Sequence, residues 1–398
     1  MNRRNFIRIA GGGIVSAATV TSLSGCALSS ALSSAYPAQA LEAWEGPGAE
    51  PDLRRWALGY AILAPNSHNR QPWLVDLSAA NAITLYVDRE RMLPMTDPWF
   101  RQIVVSQGTF LESLVIALRE RGAEPVMKLF PQGEFKPREV DARPVARISW
   151  ASATTAKKDP LFAQLLKRHT AKVDYNIAQP VAAGTVEQLT TALVDPSIRF
   201  GSTLDAAKIE ALRKLCWQSA KVELLTPRTV MESIKLTRVG PAEIMQHRDG
   251  ISVNAMVPRL AAMVGAFDRS SPPAEGSTAY KQMMSRFEGH SNTAMGFVWL
   301  STPTAQFSAN AGARSAEVNA GRAYLRLQLK ATELGLQIHP MSQAPQEFAE
   351  MKPFYDELHT RLVGKPATEE TVQMFCRIGY CATQQHTPRR AVGGFVKA

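Results

Sequence analysis

A fifteen-residue pattern occurs twice in this chain, and a duplicated unit constrains the fold more than any single motif could. Residues 108–122 read GTFLESLVIALRERG and residues 321–335 read GRAYLRLQLKATELG. Their bounding glycines, 108 with 321 and 122 with 335, are each 213 positions apart. In both copies apolar residues recur at helical spacing: Phe110, Leu111, Leu114 and Leu118, then Leu325, Leu327, Leu329 and Leu334. A glycine closes each helix, and a strand-like segment follows, Pro125–Phe130 or Leu336–Met341. The repeat predicts two copies of one α+β unit. A ligand site formed between two subunits would then lie between two halves of one polypeptide.

Length agrees with that reading. A chain of 398 residues is large for one domain, and 45% hydrophobic residues supply ample core. Residues 41–158 are expected to form the first half, with 41–50 as a linker. Polar Ala151–Lys158 connects it to residues 159–398, the second half. Residues 250–293, rich in Met, Gly, Ser and Pro, have no counterpart in the first half and are expected to be an insertion, a lid over the site.

Residues 1–40 are expected to lie outside the fold. Asn2-Arg3-Arg4-Asn5-Phe6-Ile7-Arg8 has the spacing of a twin-arginine export signal, and a glycine-bearing apolar stretch, Ile9 to Leu23, follows. Leu23-Ser24-Gly25-Cys26 has the form of a bacterial lipobox, with Cys26 as the lipidated residue. The rival cut follows Ala38-Gln39-Ala40 and would release a soluble product. Either route places the protein in the periplasm or outside the inner membrane, the first with a lipid anchor.

The net charge of +10 falls to +7 without Arg3, Arg4 and Arg8. That surplus suits anionic ligands or headgroups. It is not gathered into basic runs with interleaved aromatics, which argues against nucleic acid. Cys216, Cys376 and Cys381 are odd in number and scattered, so no disulfide framework is expected. The seven histidines show no metal-binding spacing.

Three segments carry chemistry. The loop Pro65-Asn66-Ser67-His68-Asn69-Arg70-Gln71-Pro72-Trp73 concentrates short amides and a hydroxyl between two prolines, groups that suit polyhydroxyl chains and heteroaromatic rings. Arg168-His169-Thr170-Ala171-Lys172, read as an extended strand, puts Arg168, Thr170 and Lys172 on one face, an arrangement that suits a phosphate. Read alone, the segment is more simply a solvated basic face. Pro388-Arg389-Arg390 adds charge near the C-terminus. Leu336–Ala344 follows the second repeated helix, where backbone amides could face a ring. His339 within it reads equally as structural or catalytic.

Together these segments resemble the nitroreductase-like FMN superfamily over most of residues 50–392. The first is similar to that family's P-S-x-x-N-x-Q-P-W loop, the second to its R-x-[ST]-x-[KR] phosphate segment, the third to its basic C-terminal end. The loop here precedes the phosphate segment, an order that, with the repeat, resembles the internally duplicated Acg-like branch. The resemblance implies an α+β nitroreductase-like fold whose pseudo-symmetric halves imitate a homodimer. It implies that Arg168, Thr170, Lys172 and Arg389 or Arg390 hold the FMN phosphate. Asn66, Ser67 and Asn69 would reach ribityl and ring atoms, and backbone amides near Ser342 and Gln343 would sit beside the reactive flavin nitrogen. Asn66 stands where the family usually has Ser. The first half has no segment like RHTAK, so one FMN per chain and a degenerate second site are expected.

The resemblance implies an FMN-dependent oxidoreductase working by ping-pong chemistry on a small electron acceptor. NAD(P)H, a membrane quinol or a redox protein would be the donor, and the twin-arginine machinery the export partner. The alternatives are a protein that stores or shields FMN without turnover, and a lipid-anchored interaction protein on the same fold without flavin.

Overall fold

The computed structural model describes residues 33–151, 155–265, 267–304 and 312–397. The twin-arginine motif, Cys26 and part of the Ala151–Lys158 connection lie outside those residues. In the first half, α1 (Ala38–Leu41) leads to α2 (Leu53–Ala61), whose first turn is capped by Asp52, accepting from Arg54 N at 2.9 Å. Strands β1 (Trp73–Asp76) and β2 (Ala82–Val87), helix α3 (Arg101–Glu120), and strands β3 (Val126–Leu129) and β4 (Ala146–Ser149) follow.

The second half begins with α4 (Ala183–Thr190) and β5 (Arg199–Thr203). A long excursion follows: α5 (Ala206–Leu225), α6 (Pro227–Lys235), β6 (Thr237–Val239), α7 (Gly240–His247), β7 (Ile251–Val253), α8 (Met256–Met263) and α9 (Thr278–Asn292). Then come β8 (Gly296–Pro303), α10 (Ala313–Glu333), β9 (Gln337–Pro340), α11 (Lys352–Val363) and β10 (Glu370–Gly379).

The fold is mixed α+β. Its two four-stranded antiparallel sheets have orders β1-β2-β4-β3 and β5-β8-β10-β9. Both sheets follow one plan. A long helix joins the second strand to the third, and the fourth strand inserts between those two. β6 and β7 pair separately, in parallel. Between β1 and β2 lie only residues 77–81, whereas residues 204–295 separate β5 from β8. The extra segment is therefore larger than the expected 250–293. Helical periodicity in α5 and α6 could not mark them as additions, because an inserted amphipathic helix has the same pattern as an original one.

Helices α3 and α10 pack against each other at the centre, and Ile116, Leu325 and Leu329 bury a small core between the halves with Leu161, Leu165 and Ala192. The helices begin earlier than the repeated motif suggested, so Gly108 and Gly321 lie inside them. Gly122 (φ 80°) and Gly335 (φ 68°) follow the helix ends in the left-handed conformation that glycine adopts at no steric cost.

Contacts between the halves recur at the same 213-residue offset. Arg101 at the start of α3 reaches across to Gln373 O (2.7 Å) and Pro345 O (2.6 Å) and pairs with Glu347. Arg314 at the start of α10 reaches back to Trp99 O (3.0 Å) and Glu139 O (3.1 Å). Glu134 accepts from Gly312 N (2.7 Å) and Ser315 N (3.1 Å), capping α10. Residues 101 and 314, like 134 and 347, are 213 apart.

Two boundaries differ from expectation. Residues 41–50 are no free linker: Trp44 is buried in the first-half core and its Nε1 donates to Thr387 O at 2.9 Å. Residues 33–40 are also part of the fold, since Tyr36 Oη donates to Ser252 O (3.1 Å) and Ala40 O accepts from Arg389 N (3.2 Å). The C-terminal tail, assigned to the second half by position, packs on the first. Phe395 is fully buried beside Trp73, and Lys397 N donates to Val75 O at 2.8 Å. Local pattern shows that a segment is polar or short, not which surface accepts it.

Candidate functional site: a cationic cavity between the halves

A cavity of about 550 Å³ opens between the two halves. It is lined from the first half by Asn66, Ser67, His68 and Asn69, and from the second by Arg168, Thr170, Lys172, Ser342, Gln343 and Arg389. Volume and mixed lining match a site for a cofactor or small ligand.

The loop between α2 and β1 is held under strain. His68, Asn69 and Gln71 have φ of 49°, 50° and 51°, a left-handed conformation in three of four non-glycine residues. Each costs on the order of 1 kcal/mol and persists only where surrounding contacts impose it. Those contacts are present. Asn66 Oδ1 accepts from Gln71 N (2.8 Å), His68 Nε2 bonds Ser233 Oγ (3.0 Å), and Asn69 Nδ2 donates to Pro388 O (3.0 Å). Ser67 Oγ donates to Gln102 Oε1 at 3.0 Å. Asn66 and Asn69 thus commit their amides to shaping the wall. Burial holds His68 down to about 4, so its ring is neutral near pH 7.

Residues 168–172 form no strand, yet Arg168, Thr170 and Lys172 face the cavity while Ala171 is buried behind them. His169 lines the cavity as well, so the segment does not show the strict alternation of a strand. Arg168 donates to Leu63 O at 2.8 Å. Arg389 donates to Asn69 Oδ1 (2.8 Å), Ile62 O (3.0 Å) and Thr387 Oγ1 (2.6 Å). Both guanidiniums lie within 6 Å of the Trp44 ring, at 5.6 and 5.2 Å, and His386 stacks on its indole at 3.9 Å.

Arg390 does not line the cavity. It donates to Gln71 O (2.9 Å) and Gly394 O (3.3 Å) and stacks on Phe395, because consecutive residues of an extended tail point to opposite sides.

The electrostatics of this end are lopsided. Burial lowers Arg168 to about 10, and burial with neighbouring Arg168 holds Arg389 well below its ordinary value. Lys172 falls to about 8 through burial and the nearby Arg286 and Arg389. Lys172 and Arg286 keep accessible surface towards the cavity although protein surrounds them. Neither the Lys172 ammonium nor the Arg286 guanidinium makes a hydrogen bond or ion pair among the described residues. The carboxylate acting on Lys172 is Glu223, itself pushed up to about 7 by burial. Of these four cations only Lys172 has a carboxyl acting on it, and that carboxyl is weakly ionised. Such a cluster is costly without an anion, and a phosphate dianion with its acceptor oxygens answers it.

The opposite wall follows β9. Ser342 and Gln343 line the cavity, and their backbone N–H groups have no partner among the described residues. Gln373 stands beside them at an irregularity in the β8–β10 register, between Val372 and Met374. Gln102 Nε2 and Gln373 Oε1 are buried without partners. His339 also lines the cavity, but its Nδ1 accepts from Arg377 Nε (3.0 Å) and burial keeps it neutral. It therefore acts here as an acceptor for Arg377. Leu224, Val230, Ile234, Phe267, Met283 and Phe287, all from the segment between β5 and β8, form an apolar lobe.

Sequence reasoning missed Trp44, Glu223 and Arg286. A lone tryptophan in an otherwise polar stretch was a usable signal for Trp44. Glu223 and Arg286 sit in ordinary helices, and nothing local distinguishes them. Among the described residues no cluster of three or more His, Cys, Asp or Glu could hold a metal ion.

No family model matches the chain. Over 155 residues it is 29% identical to an uncharacterized Mycobacterium tuberculosis protein, covering 38% of this chain and 41% of that one. That match spans less than half the relative's length. Over 361 residues it is 23% identical to an M. tuberculosis protein provisionally named an NAD(P)H nitroreductase, covering 86% of this chain and 90% of the relative. Among solved structures it is similar to an FMN-dependent nitroreductase of Mycobacterium smegmatis in complex with NADPH, with 18% identity, 58% and 94% coverage and a TM-score of 0.34. It is also similar to an iodotyrosine deiodinase bound to FMN and 3-iodo-L-tyrosine, with 16% identity, 58% and 95% coverage and a TM-score of 0.33.

Proposed function

We propose that this chain is a nitroreductase-like oxidoreductase that binds one FMN in the cavity between its halves. The observation that carries the reading is the cluster of Arg168, Lys172, Arg286 and Arg389 at one end of a cavity whose other walls supply unpartnered amides. A second support is the likeness, along most of the chain, to a relative named as an NAD(P)H nitroreductase. The residues fit the cofactor. Arg168, Thr170, Lys172 and Arg389 would hold its phosphate, with Arg286 as a further cation. The backbone N–H groups of Ser342 and Gln343 would stabilise negative charge on the ring. FMN, when bound, supplies one- and two-electron redox chemistry, and the protein positions it and controls access. The apolar lobe suits a small aromatic or lipophilic electron acceptor, with NAD(P)H, a quinol or a redox protein as donor in a ping-pong cycle.

The shared sheet plan and the 213-residue pairs favour an origin by internal duplication. They also favour a single site. The positions matching Ser106 and Thr109, which line the cavity, are Asn319 and Arg322, each 213 further on. There Arg322 and Arg326 pair with Glu112 at 2.8 and 2.9 Å, and only about 20 Å³ remains. For an exported protein, as proposed here, the packing of residues 33–40 favours the cut at Cys26 over the one after Ala40. A cut after Ala40 would remove Tyr36 and the carbonyl that Arg389 N uses.

The test is an absorbance spectrum of full-length protein before and after dithionite, followed by exposure to a quinone or nitroaromatic acceptor. A yellow protein that bleaches and recovers with the acceptor is expected. Bleaching without acceptor-dependent recovery would leave an FMN store, and colourless protein that takes up no added FMN would end the reading.

A further inference from the structure

Helix α8 turns its apolar face outward. Met256, Val257, Leu260, Met263 and Val264 recur at the spacing of one helical face, and their exposure runs from 47% to 80%. No residue of the helix is buried. A surface helix ordinarily turns such a stripe towards the core, and a contiguous exposed apolar face marks an interaction site. Residues 250–265 contain one cation, Arg259, and no carboxylate, so covering the face desolvates no acid.

What lies next to the helix identifies the occupant. Arg259 Nη1 donates to Ser33 O at 3.1 Å, and Asn254 Nδ2 donates to Ala35 O at 2.5 Å. The first described residues are therefore stitched to α8 through Arg259 and to the chain just before it through Asn254. Upstream of them the sequence carries the apolar stretch Ile9 to Leu23 and then Cys26. Ser33 lies seven positions beyond Cys26, at most about 25 Å of extended chain. Any bilayer attachment at or before Cys26 that retains this stretch tethers α8 to the membrane.

We propose that the apolar face of α8 seats on a phospholipid bilayer, as the second membrane contact of an N-terminally anchored protein. The contact is superficial, since no helix among the described residues is long and apolar enough to cross a membrane. Val253 and Phe267, on either side of α8, line the cavity, so the bilayer meets the segment that covers the site. The proposal stands whatever the cavity binds.

Amide hydrogen exchange of the full-length protein, with and without vesicles of phosphatidylcholine and phosphatidylglycerol, tests it. Exchange across residues 256–264 is expected to slow at least tenfold on vesicles. In Leu260→Glu/Met263→Glu that protection is expected to vanish, with exchange around the cavity unchanged. Equal exchange at 256–264 with and without vesicles, in protein that floats with them, would overturn the proposal, as would failure to float at all. Protection already present without lipid would also overturn it, in favour of a second copy if the species has twice the mass and of the chain's own residues 9–23 if it is monomeric.

Discussion

Gly108 and Gly321 meet where the two central helices cross. A Cβ on Gly108 would lie 1.9 Å from Val318 O, and one on Gly321 would lie 1.9 Å from Val105 O. Backbone touches backbone, and no side-chain movement can relieve that overlap. Alanine at either position adds about 1 kcal/mol of helix propensity, while overpacking a tight contact costs roughly 1–3 kcal/mol or more. Gly108→Ala and Gly321→Ala should each destabilise the protein by about 2 kcal/mol or more in urea unfolding. Because both overlaps lie at one helix crossing, where a single separation of the helices relieves both, the double variant should lose less than the two losses added together.

The cation cluster predicts a sharp difference between neighbouring arginines. Arg168→Ala/Lys172→Ala should weaken FMN binding by several kcal/mol, since hydrogen bonds to charged groups contribute about 1.5–3 each. Arg390→Ala should leave FMN affinity within twofold of the parent, because its guanidinium serves Gln71 O and Gly394 O. Fluorescence titration of the apoprotein with FMN reads both, and unchanged affinity in the double variant would remove the assigned phosphate site.

Lys172 sets an alkaline limit. Its lowered value, about 8, means the free site loses this charge above that pH. An anion binds best to the protonated form, so FMN affinity should fall with rising pH above about 8, towards tenfold per unit. Below about 6 protonation of the phosphate monoester should weaken binding as well. Lys172→Met should bind less tightly and lose the alkaline limb alone, in titrations from pH 6 to 9.5.

Glu223 makes an opposite contribution to folding. Its value is raised from 4.5 to about 7, so the folded apoprotein holds a proton that the unfolded chain releases within that window. The associated stability is present below 4.5 and lost as pH rises through 7. The shift corresponds to something on the order of 3 kcal/mol. Glu223→Gln should remove that fall. Apoprotein unfolding at pH 5 and 7.5 checks it: an equal pH dependence in both proteins would place the ionisation elsewhere.

Local sequence carried much of this molecule. The apolar spacing of α3 and α10 and their closing glycines follow from 3.6-residue periodicity, which depends only on near neighbours. The strand expected at 168–172 is absent, and His169 lines the cavity beside Arg168, Thr170 and Lys172, so the segment's charge was legible in the sequence but its alternation was not. The prolines and short polar side chains between α2 and β1 likewise marked an unusual loop before its left-handed residues were visible.

Partnership was decided by tertiary structure. That Arg389 faces the cavity and Arg390 does not depends on which side of the tail meets the first-half core, where Phe395 is buried. That Trp44 covers two arginines, and that Arg286 and Glu223 share their cavity, depends on elements remote along the chain. Sequence pattern records how much apolar or charged surface a segment carries. Which surface lies opposite is settled by the packing of the whole, because burial and charge act through space.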